Sequence, residues 1–227
     1  MKIQRVFISP VGFTHTFIVD LLIKYKISPG DKLVLITKLE EGTSATSMKI
    51  QETINKIREY LLSFRLFPER VMEIHHIDIK NFWQCLISVF KILEKYTELG
   101  EEIFVNLSSG MRILNILLLL SALIMPKTIN IFIETEDGSK SFEITNKELK
   151  SLLDAKQILS STHIQVLKAI MSGKRRIREI ADHTKLSAGT VSKYVSELEK
   201  FVFVERTPSG VQLSSLGEAI LHILSIT

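Results

Sequence analysis

Two short bends carry the residues best suited to chemistry. Ser9-Pro10-Val11-Gly12-Phe13 follows an apolar run at 3–8, and Asn106-Leu107-Ser108-Ser109-Gly110-Met111-Arg112 follows another that starts at 102. Each bend opens onto a stretch with helical spacing. Free backbone N–H groups and the positive end of a helix dipole would meet there, a combination that favours phosphate. Ser108 and Ser109 add hydroxyl donors, and Gly110 would let the backbone come close to a ligand. Arg112 could pair with phosphate or stack on a base. The first bend has one glycine where a dinucleotide fingerprint needs three, and Gly-x-x-x-x-Gly-Lys-Ser/Thr occurs nowhere. A nicotinamide-type fingerprint and an NTPase phosphate loop are therefore excluded.

A second group of residues, near the C-terminus, suits a larger polyanion. Lys174, Arg175, Arg176 and Arg178 lie at the start of a short helical stretch at 177–183, where it would cross a phosphate backbone. Ala181 is small where two helices must cross, Leu186 fills the turn, and Ser187 is a suitable N-cap for the next helix. In that helix, predicted over 187–201, Val191, Val195 and Leu198 share one face as core contacts. Thr190 stands in its first turn. Its opposite face offers Ala188, Gly189, Ser192, Lys193 and Ser196, short or cationic groups that permit close approach to a major groove. Strands at 202–205 and 210–213 make a hairpin with Arg206 at its tip, and a helix at 216–226 closes the segment. Three helices, a wing and a helix describe a winged helix-turn-helix that binds double-stranded DNA. One copy of so small a module binds weakly, so a homodimer on a palindromic operator is expected.

The elements that would position the first pair of bends alternate along the chain. Strands are predicted at 3–8, 32–36, 70–77, 102–107 and 128–134, with helices at 14–26, 47–64, 82–96 and 113–125 between them. Single helices between strands mean right-handed βαβ units and a mainly parallel sheet. Asp137-Gly138 signals a hairpin into a final, antiparallel edge strand at 141–144. The fold class is thus α/β, a Rossmann-like domain at 1–145, a connector at 146–159, and the winged helix at 160–227. In the common strand order the ligand crevice lies between strands one and four, where both bends end.

Totals agree with two ordinary domains: 227 residues, 45% apolar and 24% charged. The segment from 160 onward holds nine Lys/Arg against six Asp/Glu, +3 of the chain's +4. A single cysteine, Cys85, fits a reducing compartment and a buried thiol. No signal peptide opens the chain, and the longest apolar stretch is 13 residues against the roughly 20 of a membrane span, so a cytoplasmic location without membrane contact is expected. His75-His76 with Asp78 nearby lacks the companions of a metal site and is read as a satisfied pair at a strand end. His15 could touch a ligand. Ser9, Ser108 and Arg112 could orient a 2′-hydroxyl for attack, yet nothing marks a general base, and the protein is read as a non-enzyme without metal or cofactor.

Three stretches together carry a family resemblance: Phe7-Ile8-Ser9-Pro10-Val11-Gly12-Phe13, the turn Gly30-Asp31 before a strand ending at Thr37, and Val105-Asn106-Leu107-Ser108-Ser109-Gly110-Met111-Arg112. They resemble a CARF domain, the CRISPR-associated Rossmann fold. With a winged helix directly after it, the whole chain resembles the archaeal CRISPR-associated CARF–winged-helix transcriptional regulators. The resemblance implies a homodimeric sensor that binds cyclic oligoadenylate, notably cyclic tetra-adenylate, across its two-fold axis. It also implies that both bends and Thr37 hold that ligand, under a covering loop at 40–47.

Overall fold

The computed structural model describes residues 3–39 and 44–226. The chain divides after Asn146 into two compact units.

The first unit is built on β1 (Ile3–Pro10), β2 (Lys32–Lys38), β3 (Met72–Ile77), β4 (Gly100–Asn106), β5 (Asn130–Glu134) and β6 (Ser141–Thr145). They pair in the order β3-β2-β1-β4-β5-β6, parallel throughout except for antiparallel β6. The connecting helices are α1 (Thr16–Lys24), α2 (Ala45–Ser63), α3 (Pro68–Val71), α4 (Phe82–Leu99) and α5 (Arg112–Ile124). Alternate strand residues point to opposite faces. Phe7, Leu33, Leu35, Phe104 and Phe132 therefore share one core with Ile18 and Leu21 of α1 and Ile54 and Ile57 of α2. Their neighbours Val6, Ile8, Val34, Ile103, Val105 and Ile131 are equally inaccessible on the other face, where α4 and α5 bury Val89, Leu93, Leu117 and Leu118. Burial on both faces is why these strands read as continuous apolar runs.

The order of pairing reverses between β1 and β4, the crevice position expected from the sequence. Arg5 on β1 fastens the turn into β2: its Nε and Nη2 donate to both oxygens of buried Asp31 (3.0 and 2.6 Å), and Nη1 donates to the Tyr25 carbonyl (2.7 Å). Asp31 also accepts from Ser28 N and Oγ. The short α3, begun by Pro68, replaces the first residues of the strand expected over 70–77.

The second unit contains α7 (Ser161–Met171), α8 (Ile177–Thr184), α9 (Ala188–Lys200), the hairpin β7 (Val204–Thr207) and β8 (Gly210–Leu213), and α10 (Ser215–Ile226). Val166, Leu167, Ile170, Ile180, Val191, Val195, Leu198 and Phe203 form its core. Residues 146–158, taken from the sequence as connector, form α6 (Asn146–Ile158). Leu152, Ala155, Ile158 and Leu159 recur at helical spacing and pack into this same core. The close of the wing depends on Gly217, where a Cβ would stand 2.0 Å from the Phe203 carbonyl oxygen. Gly217 N donates instead to Ser214 Oγ (3.0 Å).

Candidate functional site

The two bends meet. A Cβ added to Gly12 would lie 2.8 Å from Gly110 N, and one on Gly110 (φ +87°) would lie 2.4 Å from Pro10 Cβ. Backbone therefore touches backbone at the switch point, which only glycine permits on either side. A pocket of about 190 Å³ opens beside the contact, lined by Val11, Gly12, Phe13, Ile50, Gly110 and Met111.

Beneath the contact the polar side chains are already bonded to one another. Asn106 is wholly buried; its Nδ2 donates to Ser9 Oγ (3.1 Å) and its Oδ1 accepts from Ser108 N (2.9 Å). Ser9 Oγ donates to the Pro10 carbonyl (3.1 Å), and Ser108 Oγ accepts from Glu134 N (2.8 Å). Leu107 N donates to the Phe132 carbonyl. Of the residues expected from the sequence to hold a ligand, Ser9 and Asn106 are buried and bonded within the fold, while half-buried Leu107 and Ser108 are tied to β5 through Leu107 N and Ser108 Oγ. The reason is their register: β1 extends through Pro10, paired with Ile36, so Ser9 lies inside the sheet.

Of the expected set, Val11, Gly12, Phe13, Gly110 and Met111 line the pocket. Ser109 is buried, 4% exposed, yet its Oγ has no hydrogen-bond partner among the described residues. Phe13, Met111 and Arg112 are exposed. The α5 N-terminus carries no side-chain cap at Met111 and no acidic residue in its first turn, so its leading N–H groups keep their capacity for an anion. At α1 the N-cap His15 supplies no side-chain bond either, although Thr14 Oγ1 accepts from Thr16 N.

Thr37, near the end of β2, is 2% exposed with an unpartnered Oγ1. It lines a second pocket, of about 200 Å³, which shares Ile50 with the first. Of the covering loop expected over 40–47, residues 40–43 lie outside the described residues. The remainder begins α2: Ser44 Oγ accepts from Ser47 N and Ser47 Oγ from Ser44 N, a capping box that makes a helix start of this stretch.

The two histidines separate. His75 Nε2 meets the Tyr96 hydroxyl (2.9 Å), in a group where Glu73 receives Lys32 (2.7 Å), Lys95 (3.2 Å) and the Tyr96 hydroxyl. Burial pushes the Glu73 carboxyl up, but these three donors outweigh it and hold it down to about 2. Burial, with Lys95 beside it, lowers the His75 imidazole. His76 points to the opposite side, is exposed, and lines the Thr37 pocket. The expectation of one satisfied pair is thus right for His75, whereas His76 joins Gln51, which the sequence did not single out, at the Thr37 pocket. The signal for His76 was the register of β2 against β3, which sets Thr37 opposite His76.

In the second unit Ser187 caps α9 by accepting from Thr190 N (3.1 Å), while Thr190 Oγ1 bonds Ser187 Oγ (2.8 Å). Val191, Val195 and Leu198 are fully buried, so Ala188, Gly189, Ser192, Lys193 and Ser196 are presented outward. Arg175, Arg176 and Arg178 are exposed at the start of α8, where Glu179 accepts from the N–H groups of Arg175 and Arg176. Arg206, placed by the sequence at the wing tip, lies within β7 and donates to Glu199 Oε2 (2.9 Å) and Ser196 Oγ (3.2 Å) of α9. That bond arises because β7 runs back along α9 from Phe203. On the other side of α9, Glu197 accepts from buried His163 (2.9 Å) and lies 3.9 Å from Lys193 Nζ.

Among the described residues, no cluster of three or more His, Cys, Asp or Glu could hold a metal, and no helix is long and apolar enough to cross a membrane. A six-stranded Rossmann-like sheet with two glycine bends in contact at its switch point, followed by a winged helix-turn-helix, defines a two-domain chain of the Rossmann-plus-helix-turn-helix class. More narrowly, the chain belongs to the family of Csa3 CRISPR-associated Rossmann-like domains, whose model matches residues 5–145. Residues 160–205 match the bacterial regulatory proteins of the arsR family. A protein of Saccharolobus solfataricus, CRISPR locus-related Csa3, whose name also refers to DNA binding, is 25% identical over 219 residues, 94% of this chain and 86% of that one. Among solved structures, Csm6 of Enterococcus italicus bound to cyclic hexa-2′-fluoro-hexa-dAMP aligns with a TM-score of 0.52 at 13% identity. The alignment covers 88% of this chain, which spans only 55% of that protein, and it bears on the fold alone.

Proposed function

We propose that this protein is a CRISPR-associated transcriptional regulator whose winged helix binds double-stranded DNA and whose Rossmann-like domain senses a cyclic oligoadenylate. The observation that carries the reading is the Gly12–Gly110 contact with Ser109 Oγ buried and unpartnered beside the uncapped α5 N-terminus. A buried hydroxyl without a partner costs free energy that a ligand oxygen would recover. Helix N–H groups and Arg112 suit a phosphodiester. The domain assignment follows as a sensor at 1–145 and a DNA-binding module at 160–227.

The ligand we favour is cyclic tetra-adenylate, held by Val11, Gly12, Phe13, Thr37, Ser109, Gly110, Met111 and Arg112, with Ser9, Pro10, Asn106, Leu107 and Ser108 as the supporting layer. A ring with two-fold symmetry fits a homodimer that places two such clefts together, and a homodimer fits a palindromic operator. The engagement of Ser9 Oγ and Ser108 Oγ within the fold supports a binding role over a catalytic one. A regulator acting on DNA works in the cytoplasm.

Titration of labelled cyclic tetra-adenylate against wild type and Arg112→Ala tests this. Saturable binding at two protomers per ring, weakened about tenfold or more by the substitution, is expected. Absence of binding by the wild type sinks the sensor. Retardation of a fragment of its own promoter, lost in the Lys193→Ala, Arg176→Ala double variant, tests the other half.

A further inference from the structure

The Thr37 pocket has a shape and chemistry different from those of the glycine cleft. Its floor is apolar, Ile50 and Ile54 of α2, with exposed Leu39 at the mouth. Its polar groups are Thr37, buried within, and Lys38, Ser47, Gln51 and His76 around the rim. Thr37 and His76 are register partners on neighbouring parallel strands, so their side chains emerge side by side on the α2 face of the sheet. The Thr37 hydroxyl is almost fully buried and has no partner among the described residues, although a hydroxyl can both donate and accept. Native folds rarely leave such a group unsatisfied without a ligand or water to meet it.

An apolar floor with a few hydrogen-bonding groups at the edge is what a flat heteroaromatic ring requires. The phosphate-suited cleft lies next door, sharing Ile50 as a common wall. We infer that the pocket between β2 and α2 is a base-recognition subsite, taking the purine ring of a nucleotide whose phosphate rests on the Gly12–Gly110 bend. Thr37 and His76 then act as specificity-determining residues that read the hydrogen-bonding edge of the base, while Ile50 and Ile54 bear its face. Gln51, whose Nε2 now donates to Asn55 Oδ1 (3.2 Å), stands at the outer rim. This rests on the nucleotide-sensor reading above and adds to it which residues choose the base.

The test compares two probes, cyclic tetra-adenylate and cyclic tetra-inosinate, which differ only at the base edge. Isothermal titration is run on the full-length wild type and on Thr37→Val and His76→Ala, with thermal melting to verify folding. Thr37→Val keeps the volume and removes only the hydroxyl. The wild type is expected to prefer the adenylate by about tenfold, the worth of one well-made hydrogen bond, and each variant to lose most of that preference. Gly110→Ala is expected to weaken both probes equally, because it disturbs the phosphate cleft. Folded variants that retain full affinity and undiminished base preference overturn the subsite and leave the sensor assignment standing. A wild type that binds neither ring overturns both.

Discussion

Gly12 and Gly110, 98 positions apart in sequence, meet with no room for a methyl group between them: a Cβ on Gly12 would stand 2.8 Å from the Gly110 nitrogen. The obstacle is backbone for Gly12, and the Pro10 ring and backbone for Gly110, so neither bend can yield by turning a side chain. Gly12→Ala is expected to part the bends, lower stability by about 1–3 kcal/mol, and weaken cyclic oligoadenylate at least tenfold. Gly110→Ala adds left-handed strain (φ +87°) and should be the worse of the two. Chemical denaturation and ligand titration on the same samples give both numbers; unchanged affinity in a destabilised Gly110→Ala would speak against the cleft.

The outward face of α9 and the basic start of α8 lead to a ranking of DNA contacts. Lys193 and Arg176 are exposed, whereas Arg206 is bonded to Glu199 and Ser196. Removing Lys193 or Arg176 should reduce the slope of log affinity against log salt by about 1 each. Arg206→Ala should change that slope less, and loosen the wing instead. Electrophoretic retardation from low to moderate salt would reveal an equal loss for all three if the ranking is wrong.

Glu73 gives the first unit an acid-sensitive element. Its carboxyl sits near 2 in the fold against 4.5 unfolded, so its charged form stabilises the folded state. That contribution is complete above about pH 4.5 and is lost as the pH falls toward 2. In Glu73→Gln the contribution is absent at every pH. The melting-temperature gap between wild type and Glu73→Gln should therefore be largest near neutrality and close on acidification. A gap that stays constant down to about pH 2.5 would contradict it.

Gly217 sets the seat of α10. A methyl carbon added there would stand 2.0 Å from the Phe203 carbonyl oxygen, so Gly217→Ala must displace α10 or the start of the wing. A loss of about 2–3 kcal/mol in the stability of the second unit is expected, readable by differential scanning calorimetry on the full chain. Binding of cyclic tetra-adenylate should be untouched.

The sequence held most of the fold because its signals were periodic. Strands buried on both faces made continuous apolar runs, and Asp137-Gly138 announced the antiparallel turn. Ser187, Val191, Val195 and Leu198 placed α9 to within a residue. What the sequence withheld was depth. Ser9, Asn106, Ser108 and Ser109 are all small polar residues in bends, and nothing in their identity tells which prop the loop and which face a ligand. That difference depends on β1 continuing through Pro10 and on Glu134 N reaching Ser108, contacts spanning tens of residues. The same holds for Arg206, whose acceptor on α9 is fixed only once the wing is folded, and for α6, whose apolar positions read as a polar connector until their partners are in place.

The chain of bonds from Asn106 through Ser9 and Ser108 to Glu134 has an energetic corollary for recognition. A floor bonded in this way is preorganised, so for a ligand of the proposed kind the ordering entropy of association would fall on the exposed side chains Phe13, Met111 and Arg112. On the reading proposed above, affinity would then be gained without reshaping the backbone of these two bends.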